Sequence, residues 1–354
     1  MFKHAIIGGG VTGASIAYHL SKITRGRIAL IEKNTFGSGQ TALSAGLILH
    51  RHSTHLGKKM AEQTSLDIHY LKKNYIMNHK QTASIQLSNI DSNASKHSFF
   101  SHCLNKNPIL RIPAEEFLRY NELDSYVNPQ DLLSSYLREA KTSGATLFEN
   151  TKVMHMETHP TGDIVLQTQN GKIRAENIIN ATGYQADQFA PLPITNLRSH
   201  YWVARNATRA FPILPILLLP GMYIRTHGYM IDIGIQEKQS KQVAEISQDD
   251  ATDILLEQTD TLKKYIKDFD NLYIQQYISG ISSYTADGLP VIRQEGPITS
   301  IAGCCGYGLT WAGGIGKMIA SREIPAELCA SRFDHMKQET LDTMALDIRH
   351  NKFK

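Results

Sequence analysis

Three glycines, Gly8, Gly10 and Gly13, with Val11 and Thr12 between them and an acid at Glu32, form the most chemically specific pattern in the sequence. Gly8 permits a tight turn, Gly10 lets the backbone approach a pyrophosphate, and Gly13 lets a helix and a strand pack closely. Glu32 would accept hydrogen bonds from a ribose. The elements that must position these residues can be read around them. An apolar strand, HAIIG, runs into the triplet, the helical VTGASIAYHL follows, and a second strand, IALI, delivers Glu32 with Lys33 beside it. Strand, triplet, helix, strand and acid in register point to a dinucleotide site rather than to an ordinary glycine-rich turn.

A small-residue loop, GSGQTALSAGL, follows the second strand directly. Its Ser38, Gln40, Thr41, Ser44, Ala45, Gly46 and Leu47 suit close backbone contact with a long cofactor, so FAD is expected rather than NAD. A chain of 354 residues exceeds the usual single core and predicts two domains. Apolar content of 42% and charged content of 20% describe a globular protein, and a net charge of +4, evenly spread, argues against nucleic acid as a partner. Four cysteines, Cys103, Cys304, Cys305 and Cys329, have neither a disulfide framework nor the paired spacing of a zinc site, which fits a reducing cytoplasm. No signal peptide is expected, because the N-terminal apolar run is spent as the first strand. The apolar stretch from Phe211 to Ile224 is interrupted by Pro212, Pro215, Pro220 and Gly221 and is too short to span a bilayer.

Beyond the first βαβ unit, apolar spacing predicts helices over 57–75, 129–143 and 249–269. Strands and loops are expected over 84–100, and short strands in ATLFEN and TKVMHME. A hairpin is expected in IVLQTQNGKIRAE with Asn170-Gly171 as its turn. Strands are further expected in LRSHYWVARN, MYIRTHGYMIDIG and 272–279. The last is followed by a strand, a glycine-rich turn and an amphipathic helix in ITSIAGCCGYGLTWAGGIGKMIASREI, where Gly313 and Gly316 suit close helix packing.

At these residues the chain resembles the D-amino acid oxidase (DAO) superfamily of FAD-dependent oxidoreductases, which includes glycine oxidase, sarcosine oxidase and D-arginine dehydrogenase. The likeness runs through the glycine triplet with Glu32, the GSGQTALSAGL loop, Val153 in the strand that meets adenine in relatives, and the turn Ala181-Thr182-Gly183. It continues in the loop around Asp287 and in Gly303, Gly306, Tyr307, Gly308, Leu309 and Thr310. The resemblance implies an α/β (α+β overall) fold with a Rossmann-like FAD-binding domain of glutathione-reductase type, assembled from 1–80, 140–190 and 280–354. A mainly antiparallel substrate domain, 81–139 and 191–279, would be inserted in it. It also implies hydride transfer to flavin N5 from a carbon bearing an amine or hydroxyl, with the dipole of the helix after Gly308 favouring the anionic reduced flavin.

The departures from the family concern the substrate. Glycine oxidase and D-arginine dehydrogenase carry a carboxylate-binding arginine where Ser282 stands, and a serine cannot replace a bidentate guanidinium. Sarcosine oxidase has its carboxylate-binding lysine at the place of Thr310, its flavin-bearing cysteine at the place of Gly280 and its oxygen-activating lysine at the place of Asp232. FAD is therefore expected to be non-covalent, and the electron acceptor is oxygen, a quinone or another protein. Tyr223 aligns with an active-site tyrosine of glycine oxidase, and Arg225, two residues along the strand, would share its face. These two, with Ser282, are the substrate-binding candidates. Cys304-Cys305 reads as packing, since adjacent cysteines close only a strained ring. His50, Arg51, His52 and His55 lack companion carboxylates or thiolates at ligand spacing, so no metal is expected. The reading is an FAD enzyme oxidising the C–N bond of a small amine or amino-acid derivative. A 2-hydroxy acid or polyol dehydrogenase, and a non-catalytic flavin-binding accessory subunit, are the alternatives.

Overall fold

A computed structural model describes residues 1–24, 27–88, 117–206, 215–235, 248–267 and 269–351. Cys103, residues 89–100 and residues 211–214 of the sequence reading lie outside them. The chain opens with β1 (Phe2–Ile7), α1 (Val11–Thr24), β2 (Ile28–Ile31), β3 (Leu47–Ile48), α2 (His55–Leu71), β4 (His79–Gln81) and β5 (Ser84–Ser88). It continues with β6 (Phe117–Asn121), β7 (Ser125–Val127), α3 (Pro129–Thr142), β8 (Thr146–Phe148), β9 (Val153–Thr158), β10 (Ile164–Thr168) and β11 (Gly171–Asn180). β12 (Thr195–Asn206), β13 (Ile216–Leu219), β14 (Met222–His227), β15 (Met230–Ile235), α4 (Gln248–Glu257) and α5 (Thr259–Tyr265) come next. β16 (Leu272–Tyr284), β17 (Val291–Glu295), β18 (Ile298–Ala302), α6 (Gly308–Ser321) and α7 (Gln338–Asn351) follow.

Two compact units result. Unit 1 comprises Met1–Lys80, Tyr126–Asn196 and Ile281–Ile348; unit 2 comprises Gln81–Ser125, Leu197–Gly280 and Arg349–Lys354. In unit 1 the main sheet runs β17-β18-β11-β1-β2-β8, with β18, β11, β1, β2 and β8 parallel and β17 antiparallel. Parallel strands covered on both faces read as unbroken apolar runs, as IALI of β2 does, every residue buried. Ile7 stands opposite both Ile31 and Asn180. Gly8, Glu32 and Ala181 therefore leave the carboxyl ends of three adjacent strands together, where open parallel sheets hold ligands.

Helix α6 enters this unit between α1 and α2. A Cβ on Gly316 would lie 2.3 Å from Ser15 Oγ, one on Gly314 2.4 Å from the Met60 Cα, and one on Gly313 2.5 Å from Asp67 Oδ2. With neighbours that close on two sides, α6 is buried almost throughout, and the expected amphipathic pattern does not describe it.

In unit 2 the sheet runs β16-β12-β15-β14-β13-β5-β6. The β12–β15, β15–β14, β14–β13 and β5–β6 pairs are antiparallel, while β13 and β5 are parallel. One face carries Ile85, Trp202, Leu217, Ile224 and Ile233, packed with Leu262 and Tyr265 of α5.

Four further expectations change. Residues 126–139 belong to unit 1, because Leu132, Leu133 and Tyr136 of α3 share a core with Val11, Ala14 and Tyr18 of α1. The helix expected over 249–269 is two helices: Gln258 N–H donates to the Leu255 carbonyl at 3.1 Å, a tighter i→i−3 closure that ends the first, and Gln258 then starts the second. The strand expected to end at 279 continues to Tyr284, its Ile281 N–H donating to Gln40 Oε1 at 2.6 Å. The hairpin pairs Thr168 with Gly171, so its turn is Gln169-Asn170, and Gly171, at φ +121°, begins the return strand.

Candidate functional site

The glycine triplet is demanded by contacts as well as by turn geometry. Gly8 has φ +107°, and a Cβ there would lie 2.4 Å from the Ala181 carbonyl oxygen; one on Gly13 would lie 1.9 Å from the Gly8 oxygen. At Gly10 a Cβ would press on Thr41 Oγ1 at 3.3 Å. Thr41 Oγ1 also accepts from Val11 N–H at 3.0 Å, which ties the 37–47 loop to the start of α1. The first-turn N–H groups of Thr12 and Gly13 have no intrahelical acceptor by the geometry of any α-helix, and they follow Gly10, which carries no side chain to cover them. This is a fitting cradle for a pyrophosphate.

Glu32 is held ready at the end of β2. Its Oε2 accepts from Gly9 N–H at 2.8 Å and its Oε1 from Asn34 N–H at 2.9 Å, leaving further lone pairs for ribose hydroxyls. Gly9, absent from the sequence reading, is constrained too: its Cβ would lie 2.3 Å from the Phe36 ring. The uninterrupted GGG run was the available signal. Lys33 reaches Gln185 Oε1 at 2.8 Å, beside the Ala181-Thr182-Gly183 turn, where Gly183 has φ +67°. Val153 is buried at the start of β9. Ser38 donates to Thr35, and Ser44 accepts from Gly46 N–H at 3.3 Å, so both shape the loop.

A second glycine turn precedes α6. Gly303, Cys305 and Gly306 all have positive φ. Gly303 N–H donates to Ser283 Oγ at 3.0 Å and Cys305 N–H to the Ser283 carbonyl at 2.9 Å, fastening the turn to the end of β16 beside Ser282. Helices α2 and α3 are capped by the side chains of Thr54 and Asn128, whereas Tyr307 at the start of α6 supplies no such bond. The amides of Gly308 and Leu309 thus open an α-helix without a side-chain cap, as a ligand at that end requires. Thr310 is occupied otherwise, its hydroxyl donating to the Leu47 carbonyl at 3.0 Å and accepting from Leu49 N–H at 3.3 Å. Asp287 is also engaged within the protein: Arg332 Nε donates to it at 2.7 Å and Leu289 N–H at 3.1 Å.

Tyr223 and Arg225 occupy the face of the unit 2 sheet opposite its apolar core. Strand register aligns Arg119, Gln86, Leu218, Tyr223, Gly234 and Tyr201 in one row across six strands. The adjoining row pairs Arg225 with Asp232, both buried. Arg225 Nε donates to Asp232 Oδ2 at 3.0 Å, Nη2 donates to the same oxygen, and His227 Nε2 lies 3.1 Å from Oδ1. Burial alone would raise the Asp232 carboxyl, but His227 and the Arg225 charge outweigh it and hold it below its ordinary range. Burial, with Asp232 second, raises the Tyr223 phenol well above its usual range. The pairing follows from the hairpin: the two-residue turn Gly228-Tyr229 joins β14 to β15 and puts Arg225 opposite Asp232. Gln86, Arg119 and Gly234 were missed because nothing local marks them. Gly280 lies on β16, next to Ile281.

Neither Cys304 nor Cys305 takes part in a disulfide. Cys305 Sγ donates to the Gly303 carbonyl at 3.2 Å, and burial pushes the Cys304 thiol up to about 12, too high for a reactive thiolate. His52 packs between Tyr307 and Trp311, with ring centroids 4.9 and 5.1 Å away, and His50 meets Ser65. Among the described residues no group of three or more His, Cys, Asp or Glu is arranged to hold a metal, and no helix is long and apolar enough to cross a membrane.

Residues 3–322 match the DAO family, described as FAD dependent oxidoreductase. The chain is 23% identical to the mitochondrial dimethylglycine dehydrogenase of Rattus norvegicus over 368 residues, covering 89% of this chain and 42% of that protein. It thus spans about two fifths of that relative's length. It is 25% identical to the mitochondrial pyruvate dehydrogenase phosphatase regulatory subunit of Mus musculus, over 51% of this chain and 23% of that one. The crystal structure of glycine oxidase from Geobacillus kaustophilus superposes with a TM-score of 0.72 at 21% identity, covering 92% of this chain and 96% of that one, a likeness of fold. With that match over nine tenths of its length, from residue 3 to residue 322, the chain belongs to the DAO family of FAD-dependent oxidoreductases and FAD is its cofactor.

Proposed function

We propose that the protein oxidises the C–N bond of a small amine or amino-acid derivative, using FAD held without a covalent bond. One observation carries the substrate side of this reading: unit 2 buries Gln86, Arg225 and Asp232 on the sheet face that its own apolar core does not use, with Tyr223 among them. Buried polar groups cost stability unless they are satisfied, so a face built from them suits a polar ligand. Bound FAD supplies the hydride acceptor at N5.

The protein's own part is to orient and to hold charge. The first turn of α6 presents N–H groups and the positive end of its dipole toward negative charge. Tyr223 offers a neutral phenol, since its raised pKa keeps the hydroxyl protonated at physiological pH. Arg225 meets Asp232 as an ion pair, so the pair presents little net charge to a substrate carboxylate. With the neutral Ser282 at the position where relatives place arginine, this favours an amine or a modified amino acid over a simple α-amino acid.

A second reading, a flavin-binding regulatory subunit without turnover, is favoured by Ser282 and by the likeness to the phosphatase regulatory subunit. Anaerobic mixing of FAD-loaded protein with D-amino acids, N-methyl amino acids, simple amines and hydroxy acids separates the readings. The amine reading expects bleaching of the oxidised-flavin band at roughly 450 nm by an amine, with ammonia or a smaller amine released. Bleaching by hydroxy acids alone overturns the C–N assignment, and a band that no compound bleaches supports the regulatory reading.

A further inference from the structure

Gly234 stands in β15, one residue from its end, opposite Tyr223 of β14 and Tyr201 of β12. Glycine weakens a strand, because it gains nothing from packing and loses the most backbone freedom. The backbone does not require it here, since Gly234 is absent from the glycines with positive φ and sits in a conformation open to any residue. The reason lies on the neighbouring strand. A Cβ on Gly234 would lie 1.9 Å from Tyr223 Cε1, 2.3 Å from Cζ and 2.5 Å from Cδ1, within the phenol ring itself.

Strand side chains ordinarily stand roughly perpendicular to the sheet. Tyr223 instead lies over the adjacent strand, its ring occupying the space that a side chain at 234 would fill. The Arg225–Asp232 ion pair fixes β14 to β15 one step along the same face, so strand register and slot are set together.

We propose that Gly234 is a positioning residue for the reaction: its missing side chain makes the slot that lays the Tyr223 phenol across β15 and fixes where its hydroxyl meets the substrate. This rests on the reading that Tyr223 contacts substrate. A larger residue at 234 lifts the ring off the sheet, changing both the hydroxyl's position and the space left above Leu218, the next residue in the row. The site's shape is therefore set by a residue that does not itself touch the reacting atoms.

A double-mutant cycle on the full, FAD-loaded chain tests this, with the amine that bleaches the flavin as substrate and Gly234→Ala, Tyr223→Ala and the double variant compared. Gly234→Ala is expected to raise KM by about tenfold or more where Tyr223 is present, and by no more than about twofold in the Tyr223→Ala background. There it should also raise the melting temperature, because alanine suits an unobstructed strand better than glycine. A second measurement is independent of turnover. Ultraviolet titration against Tyr223→Phe isolates the Tyr223 phenol, whose ionisation Gly234→Ala should bring down toward the ordinary value of about 10. Equal KM effects in both backgrounds, or a melting shift with no change in KM or titration, would overturn the proposal and leave the ring as a cover for the glycine. If Tyr223→Ala and Tyr223→Phe leave kcat and KM unchanged, the substrate reading of Tyr223 fails and takes the proposal with it. If they do not and the Gly234 effect is additive, only the proposal fails.

Discussion

Glu32 shows how a single side chain is prepared before its ligand arrives. Its two carboxylate oxygens are held by Gly9 and Asn34 N–H groups, so the acceptor proposed for ribose has its rotamer already chosen. Glu32→Ala should weaken FAD retention by about ten- to a hundredfold, the worth of a charge-assisted hydrogen bond at roughly 1.5–3 kcal/mol. Flavin fluorescence released on dilution measures it, and unchanged retention would mean the ribose is held elsewhere. The place of this acid at the end of β2 was legible in the sequence, because a strand, a glycine triplet and a following strand leave one position for it. The commitments of Thr310 and Asp287 were not. Their hydroxyl and carboxylate are taken up by Leu47 and Arg332, partners distant along the chain whose approach no local spacing records. Arg225 was legible as a member of a polar face, while its burial against Asp232 emerged only with the hairpin.

At the scale of elements, β1 combines an obvious apolar run with a residue that makes the fold respond to pH. His4 is 6% exposed between β2 and β11, and burial, with the charges of Arg322 and Lys3 nearby, pushes its imidazole down to about 4. In the unfolded chain it titrates at about 6.5. The unfolded state therefore binds more protons between those values, and stability falls as pH drops from about 6.5 toward 4, levelling off below. Urea midpoints measured across that window should decline, and His4→Leu should flatten part of the decline; an identical slope in the variant would assign the effect to other groups. Helix positions were read from apolar periodicity to within a few residues. The pattern said nothing of which side of α6 meets which helix, because a helix buried on nearly every face has no stripe to read. Gly313 and Gly316 hinted at close packing, and Gly314 against Met60 added to it only once α2 was in place.

For the whole molecule, the cofactor is expected to act as a structural part of unit 1. The cradle proposed for it draws on the ends of β1 and β2, the 37–47 loop and the turn before α6, segments of unit 1 separated by most of the chain. A ligand that binds only the folded state stabilises it by about 2.7 kcal/mol at a hundredfold excess over its Kd. FAD added to stripped protein should therefore raise the melting temperature progressively with concentration. A melting temperature indifferent to FAD would contradict a site assembled from those segments. The sequence by itself determined the cofactor class and the first βαβ unit, because turns, periodicity and glycine placement are written within a few residues of one another, whereas the division into a parallel and a mainly antiparallel part was implied by the family resemblance. Only the tertiary structure decided that α3 belongs to unit 1, that Arg225 is neutralised by Asp232, and that the ring of Tyr223 fills the space a side chain at Gly234 would need. These depend on which strands become neighbours and on which side chains then compete for the same volume, and neither is encoded at any fixed spacing.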